Sequence, residues 1–334
     1  QKEIFRTAIS TDHNVSVSGA LPNLPYRVSV GYTNENGIIK TSNMERFPGA
    51  INLNPQLFDK HLNIQLNVKG IYNTNRFVDL NALDIATQYD PTQPIYMNGS
   101  PYGNGYFMYL NSATNKPNDI GLANPVSILD SKSDKSTVYR SIGNAQFDYK
   151  FHFLPELRAN LNLGYDVSKG EGDVIITDNS PMTWTQGNFK TGFGENRSYY
   201  QLKRNTLLEF YLNYAKTFGI HNIDVMAGYS WQHFFRSEWN KYPYSAAKAQ
   251  ENNTEFYKDG DDIITENYLV SFFGRLNYTL LDRYLLTFTL RDDGSSRFSK
   301  DNRWGIFPSV ALAWRINEES FLKDIEWLND LKLR

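Results

Sequence analysis

Five histidines are the first residues to test for chemistry: His13, His61, His152, His221 and His233. None stands at metal-ligand spacing from another histidine or from a carboxylate in the sequence, and no nucleophile elbow is present. Metal-assisted hydrolysis and acyl transfer therefore lack their parts. His152 and His221 fall at tight turns, where an imidazole is solvated or interfacial. The glycines of GNGYF (103–107) read as a turn rather than a phosphate-cradling loop. There is no cysteine, so disulfides and thiolate metal sites are excluded. YKDGDD (257–262) sets Asp259, Asp261 and Asp262 around Gly260, a weak candidate for Ca²⁺. It lacks the downstream glutamate of an EF-hand, and a solvated acidic loop is the preferred reading. No catalytic residue, metal or cofactor is expected, and the chain is not read as an enzyme.

Recognition is the chemistry that remains. PIYMNGSPYGNGYFMYL (94–110) carries Tyr96, Tyr102, Tyr106, Phe107 and Tyr109. Further along come Trp184 with Phe189, and Trp239 with Tyr242 and Tyr244. Rings beside Asn and Asp can stack on the apolar face of a sugar or peptide while the amides bond hydroxyls or backbone. The competing reading is that long loops pack their own rings into small cores. Substrate contact is the expectation for Tyr96, Tyr102, Tyr106, Phe107, Tyr109, Trp184, Trp239 and Tyr242. Nothing in these residues separates a glycan from a peptide.

The elements that must carry these loops show in the period-two pattern. In HLNIQLNVKGIYNTN (61–75), Leu62, Ile64, Leu66, Val68 and Tyr72 alternate with Asn63, Gln65, Asn67, Lys69 and Asn73, giving a strand with one apolar and one polar face. The pattern recurs in YRVSVGYTN (26–34), ERFPGAINLN (45–54), RSIGNAQFDYKFHF (140–153), LRANLNLGYDVS (157–168), NTLLEFYLNYAKTF (205–218), IDVMAGYSWQHF (223–234), YLVSFFGRLNYTL (268–280), YLLTFTLRDD (284–293) and WGIFPSVALAWRI (304–316). With HNVSVSGA (13–20) this predicts eleven strands and the start of a twelfth in LNDLKLR. Helix periodicity is nowhere sustained, apart from one helical turn expected in NEESFLKD.

Connections alternate between short and long. Short turns are expected at 21–25, 55–60, 154–156, 219–222, 281–283 and 317–327. Long loops are expected at 74–138, 169–199 and 236–265. In an up-and-down meander every second connection lies at one end, so one end has tight turns and the other large loops, as in outer-membrane barrels. Several runs reach the 9–11 residues that a tilted strand needs to cross hydrocarbon, against about 5–6 in soluble sheets. Aromatics, 15% of the chain, gather at strand ends, where rings with a polar tip suit the membrane–water interface. Mean hydropathy of −0.52 and the lack of any long apolar run exclude helical spans but not a barrel. Net charge is −2 with Lys and Arg scattered, which argues against nucleic acid.

Three stretches resemble the SusC/RagA family of TonB-linked outer-membrane proteins of Bacteroidetes: YRVSVGYTNENGIIKTSNMERFPGAINLNP, DYKFHFLPELRANLNLGYD and GRLNYTLLDRYLLTFTLRDDGSSRFSKDNRWGIFPSVALAWRI. The resemblance runs from about Phe5 to Arg334, and the last block is the most specific. It implies an all-β, antiparallel up-and-down transmembrane barrel of 22 strands closed by a plug. Residues 1–334 are then the first half of that barrel, about 11–12 strands, without the plug or the TonB-contacting segment. The first residues, QKEIFRTAIS, lack a signal-peptide pattern, and both ends suggest part of a longer chain. It further implies TonB-dependent import of a nutrient, an oligosaccharide or peptide, across the outer membrane. The implied partners are a SusD-like surface lipoprotein, the TonB–ExbB–ExbD complex and outer-membrane lipid. Two other readings of the residues stay open: a passive porin-like or structural barrel, and a soluble carbohydrate-binding β-sandwich.

Overall fold

The computed structural model describes residues 2–185, 192–243, 257–259, 262–322 and 328–334, with backbone alone at 241–243 and 257–259. The period-two segments become β1 (Ser10–Leu21), β2 (Leu24–Asn36), β3 (Asn43–Leu53), β5 (Leu62–Phe77), β6 (Lys132–Lys150), β7 (Leu157–Ile176), β8 (Glu195–Phe218), β9 (His221–Pro243), β11 (Ile263–Leu280), β12 (Tyr284–Ser295) and β13 (Trp304–Arg315). Short β14 (Lys332–Leu333) pairs with β13, while β4 (Gln56–Leu57) and β10 (Tyr257–Asp259) pair with β5 and β9. All belong to one antiparallel sheet whose main path follows chain order, as a meander requires.

Paired residues share a face, so the register carries the alternation from strand to strand. One row runs Leu66, Ala145, Leu163, Leu208, Trp231, Val270. The neighbouring row runs Gln65, Gln146, Asn162, Glu209, Ser230, Ser271. The result is one apolar and one polar face across the whole sheet. The sandwich reading required a second sheet on the apolar face. Among the described residues that face is bare instead, with Val15 65%, Val30 59%, Val310 62% and Leu312 67% exposed.

Aromatic rings border the apolar band. At the long-loop end Tyr32, Phe47, Tyr72 and Tyr139 form a ladder with centroids 4.8, 6.1 and 5.1 Å apart. At the short-turn end stand Tyr149 with Phe151 at 5.2 Å and Tyr284 with Trp314 at 6.2 Å. From Leu62 to Tyr72 the strand advances about 33 Å at about 3.3 Å per residue. Tilted by about 40°, that is about 25 Å of height, the thickness of a barrel's apolar band.

The structure departs from the expected loop boundaries at the long-loop end. β5, β7 and β9 run on to Phe77, Ile176 and Pro243, and β6, β8 and β11 begin at Lys132, Glu195 and Ile263. Backbone pairing continues there beyond the apolar alternation, through stretches such as Lys169-Gly170-Glu171-Gly172 that have no apolar face to read. Among the described residues three short α-helices also lie in the long loops: α1 (Asn81–Gln88), α2 (Pro125–Ser131) and α3 (Pro181–Thr185). They are too short for a 3.6-residue period to show and are held by tertiary packing. The expected helical turn after β13 is a 3₁₀ turn at Ile316–Glu318.

Candidate functional site

The buried apolar core lies in these loops rather than under the sheet. Ile4, Ile39, Ala82, Ala123, Ile128, Leu129 and Met182 cluster, joining the N-terminal segment, the β2–β3 connection, α1, α2 and α3 into one cap. Local chemistry explains how the cap is built. Asn124 caps α2, its side-chain oxygen accepting from Val126 N (3.0 Å) and Ser127 N (3.4 Å), with Pro125 in the first turn. Its amide nitrogen also donates to Ile95 O at 2.8 Å, tying the helix to the aromatic stretch. Lys132 and Asp79 pair at 2.9 Å below it.

Within 94–110, Gly103 and Gly105 take φ of 82° and 84°, which a side chain would oppose. That turn lets Tyr96 and Tyr106 pair, with centroids 5.3 Å apart. Tyr106 donates its hydroxyl to Asp130 Oδ2 at 2.7 Å. Burial, reinforced by that carboxylate, raises the Tyr106 pKa, so its hydroxyl stays a donor at neutral pH. Phe107 and Tyr109 meet edge to face at 5.2 Å, and Tyr89 adds a third ring 5.9 Å from Tyr109. Burial raises the pKa of Tyr89 and of Tyr109 as well. Tyr96 remains 61% exposed and presents a ring to solvent.

The first and second long loops interlock. Tyr102 meets Trp184 edge to face at 5.4 Å, and Trp184 Nε1 donates to Asn179 Oδ1 at 3.0 Å. Asn179 Nδ2 donates to Pro101 O at 2.9 Å, and Asn104 Nδ2 to Asp178 O at 2.5 Å. The structure thus brings together Tyr96, Tyr102, Tyr106, Phe107, Tyr109 and Trp184 in one cap. It does not bring Trp239 there: Trp239 stacks on Tyr200 at 5.6 Å on the outer, apolar side of the sheet. The Tyr242 backbone pairs with Lys258 in the β9–β10 ladder. Phe189, Tyr244 and Asp261 lie outside the described residues, and Asp262 is exposed. Sequence reasoning passed over Tyr89, Asp130 and Asn179. Tyr89 meets Tyr109, Asp130 meets Tyr106 and Asn179 meets Pro101 across 20 to 78 residues, so no local pattern marks these contacts.

Below the cap, the polar face is a hydrogen-bonded wall. Asn67 donates to Asn144 at 3.1 Å and Asn162 to Glu209 at 3.2 Å, while Arg291 donates to Ser271 at 2.9 Å. Arg140–Asp166 and Arg158–Asp148 form ion pairs at 2.7 and 2.8 Å. Asn162 Oδ1 and Ser230 Oγ are buried without a protein partner, which suits a face meeting water or another polar surface. Near the short turns, β5–β6 pairing stacks His61 on His152 at 3.8 Å. One nitrogen of each is already bonded, to Lys150 O and Tyr149 OH. Parallel rings do not converge on a metal.

Residues 26–327 match the family described as TonB dependent receptor-like, beta-barrel. The chain belongs to that family. This TonB-dependent receptor barrel is 45% identical over 345 residues to the TonB-dependent receptor SusC of Bacteroides thetaiotaomicron, covering 100% of the chain and 34% of the relative. It is 30% identical to the TonB-dependent receptor P3 of Formosa agariphila, covering 100% of the chain and 33% of that relative. The chain spans about a third of the length of these curated relatives. Among solved structures it superposes on the RagAB peptide transporter with TM-score 0.76 at 19% identity, over 99% of this chain and 37% of the other, which shows the fold. The ferric citrate transporter FecA shares it more distantly, with TM-score 0.52 over 92% of this chain and 38% of the other. Proteins of this family are outer-membrane transporters rather than enzymes. In this TonB-dependent receptor barrel the apolar face therefore meets lipid and the polar face lines the lumen.

Proposed function

We propose that this barrel serves active import of a nutrient, an oligosaccharide or a peptide, across the outer membrane. TonB supplies the energy, and a SusD-like surface lipoprotein works with the barrel at its outer end. The observation that carries this reading is the interlocked aromatic cap standing over a continuous polar wall. Tyr96 offers a stacking surface for a sugar ring or an apolar side chain, beside the Tyr106–Asp130 hydrogen bond. The relatives' printed names support energised uptake: SusC is named a TonB-dependent receptor, and the RagAB structure a peptide transporter.

Uptake of labelled maltooligosaccharides and of labelled oligopeptides would be measured in cells carrying or lacking TonB. Uptake of one class that depends on both this barrel and TonB is expected. Uptake indifferent to TonB would replace this reading with a passive pore.

A further inference from the structure

Arg204 is one of the cations that stand on the apolar face of the sheet. In the register Arg204 pairs with Val167 on β7 and Phe235 on β9, which places it on the lipid side of the sheet. Lys169 pairs with Leu202 and is therefore the diagonal neighbour of Arg204 on the same face. Diagonal neighbours lie about 7–8 Å apart, close enough for two long side chains to share one ligand.

Height fixes what these cations can meet. Lys169 and Arg204 lie about 30–35 Å above the periplasmic turns, by rise per residue and barrel tilt, against an apolar band about 25 Å tall. Lys169 pairs directly with Tyr139, the last ring of the aromatic ladder, which sets the two cations at the level of the outer-leaflet headgroups. Rings hold both cations against the wall. The Arg204 guanidinium lies 5.0 Å from the Phe235 ring centre, and the Lys169 ammonium 5.7 Å from that of Tyr200, which itself stacks on Trp239.

Nearby carboxylates are already engaged. Glu171 takes one of the three donors of Lys169 at 3.1 Å and leaves two for a phosphate, while Glu266, which also feels the charge of Arg204, accepts from His233 at 2.7 Å and from Tyr268 at 2.8 Å. The lumen arginines Arg140 and Arg158 each hold an aspartate. Arg204 is exposed and, among the described residues, forms no ion pair. A guanidinium at headgroup level, on a face turned toward lipid and with its fork unused, complements a phosphate.

We propose that Lys169 and Arg204 bind the phosphate of an anionic lipid in the outer leaflet, with Phe235 and Tyr200 as the rings that hold the two cations in place. The patch faces sideways into the membrane rather than up toward a ligand or a lid, so a lipid anchored in the bilayer is its fitting occupant. Binding there would fix the barrel's height where its walls rise highest above the band.

The test uses the intact outer-membrane protein in neutral detergent micelles, titrated with dimyristoyl phosphatidic acid and followed by native mass spectrometry. Phosphatidic acid should be retained and dimyristoyl phosphatidylcholine should not. Arg204→Gln and Lys169→Gln should each weaken retention about tenfold, as expected for loss of a charge-assisted bond. Arg204→Lys keeps the charge without the fork and should fall between. Lys203→Gln removes the same charge from the adjacent residue on the lumen face and should leave retention unchanged. Heat-modifiable mobility confirms that each variant has assembled. Equal weakening by Lys203→Gln, equal retention of phosphatidylcholine, or displacement of the lipid by equimolar inorganic phosphate would each overturn the proposal.

Discussion

Tyr165 covers Gly143 directly across the β6–β7 ladder, its ring reaching within 2.5 Å of where a β-carbon on that glycine would stand. Its hydroxyl lies 3.0 Å from Ser141 Oγ, one position along the same face. The same cross-strand relation recurs at Gly19–Tyr26, Gly172–Tyr199 and Gly294–Trp304. A ring laid over a bare backbone packs the wall without a side chain opposite. Gly143→Val should therefore lower barrel stability by about 1–3 kcal/mol through overpacking. Gly70 has nothing within 4 Å of its β-carbon position, so Gly70→Ala should change stability by no more than about 0.5 kcal/mol. Urea titration of the intact barrel refolded into lipid bilayers would measure both.

Leu66 and Asn67 test the two faces at one height. Leu66 pairs with Leu53 and Ala145 on the lipid side, and Asn67 bonds Asn144 on the lumen side. Leu66→Arg should cost about 2–4 kcal/mol near mid-bilayer, whereas an arginine in the lumen is solvated. Outer-membrane yield of assembled barrel should drop for Leu66→Arg and hold for Asn67→Arg. Equal yields would mean that the faces are assigned wrongly.

The Tyr102–Trp184 contact makes the two long loops one unit. An aromatic pair of this kind contributes about 0.5–1.5 kcal/mol beyond its buried area. Trp184→Ala should then weaken hydrogen-exchange protection of the Phe107 and Met97 amides, which bond Ile95 O and Gly105 O at 2.9 Å each. Tyr96→Ala, at an exposed ring, should leave that protection intact while lowering nutrient affinity about fivefold, the equivalent of about 1 kcal/mol. Exchange measurements and ligand titration on the two variants separate scaffold from contact.

Glu319, at the periplasmic rim, accepts from Tyr284 OH at 2.7 Å, Arg283 Nη1 at 2.9 Å and Trp314 Nε1 at 3.0 Å. Those bonds, led by that from Tyr284, hold its carboxyl below the usual glutamate range. A depressed carboxylate adds stability that is full above the unfolded pKa of about 4.3 and is lost as pH falls through the lower folded value. Fluorescence of Trp314 in the intact barrel should report an acid transition below that pH. Glu319→Gln should abolish the transition, and an unchanged titration in the variant would exclude Glu319 as its source.

The strands and their faces were legible in the sequence because a membrane wall writes its environment into every second residue. Leu62, Ile64, Leu66 and Val68 announce lipid without reference to any distant partner. That signal fades beyond the apolar band, since Lys169, Gly170, Glu171 and Gly172 carry no apolar side chain while their backbone stays paired. The cap was legible only as a concentration of rings. Its architecture depends on contacts such as Asn179 with Pro101 and Tyr106 with Asp130, which are tertiary and leave no periodic trace. Trp239 looked like its neighbours in composition, and only the register reveals that it stands on the outside.

From β5 to β13 each main-path ladder holds one unbroken register. Deleting one residue from such a strand would turn every following asparagine toward hydrocarbon and every following leucine toward water. Length changes are therefore tolerable only outside the bilayer, and the long segments that build the cap leave the most room for them. A wall this strict concentrates the freedom to vary in the part that meets the ligand, so one scaffold can be refitted to new cargo without being rebuilt.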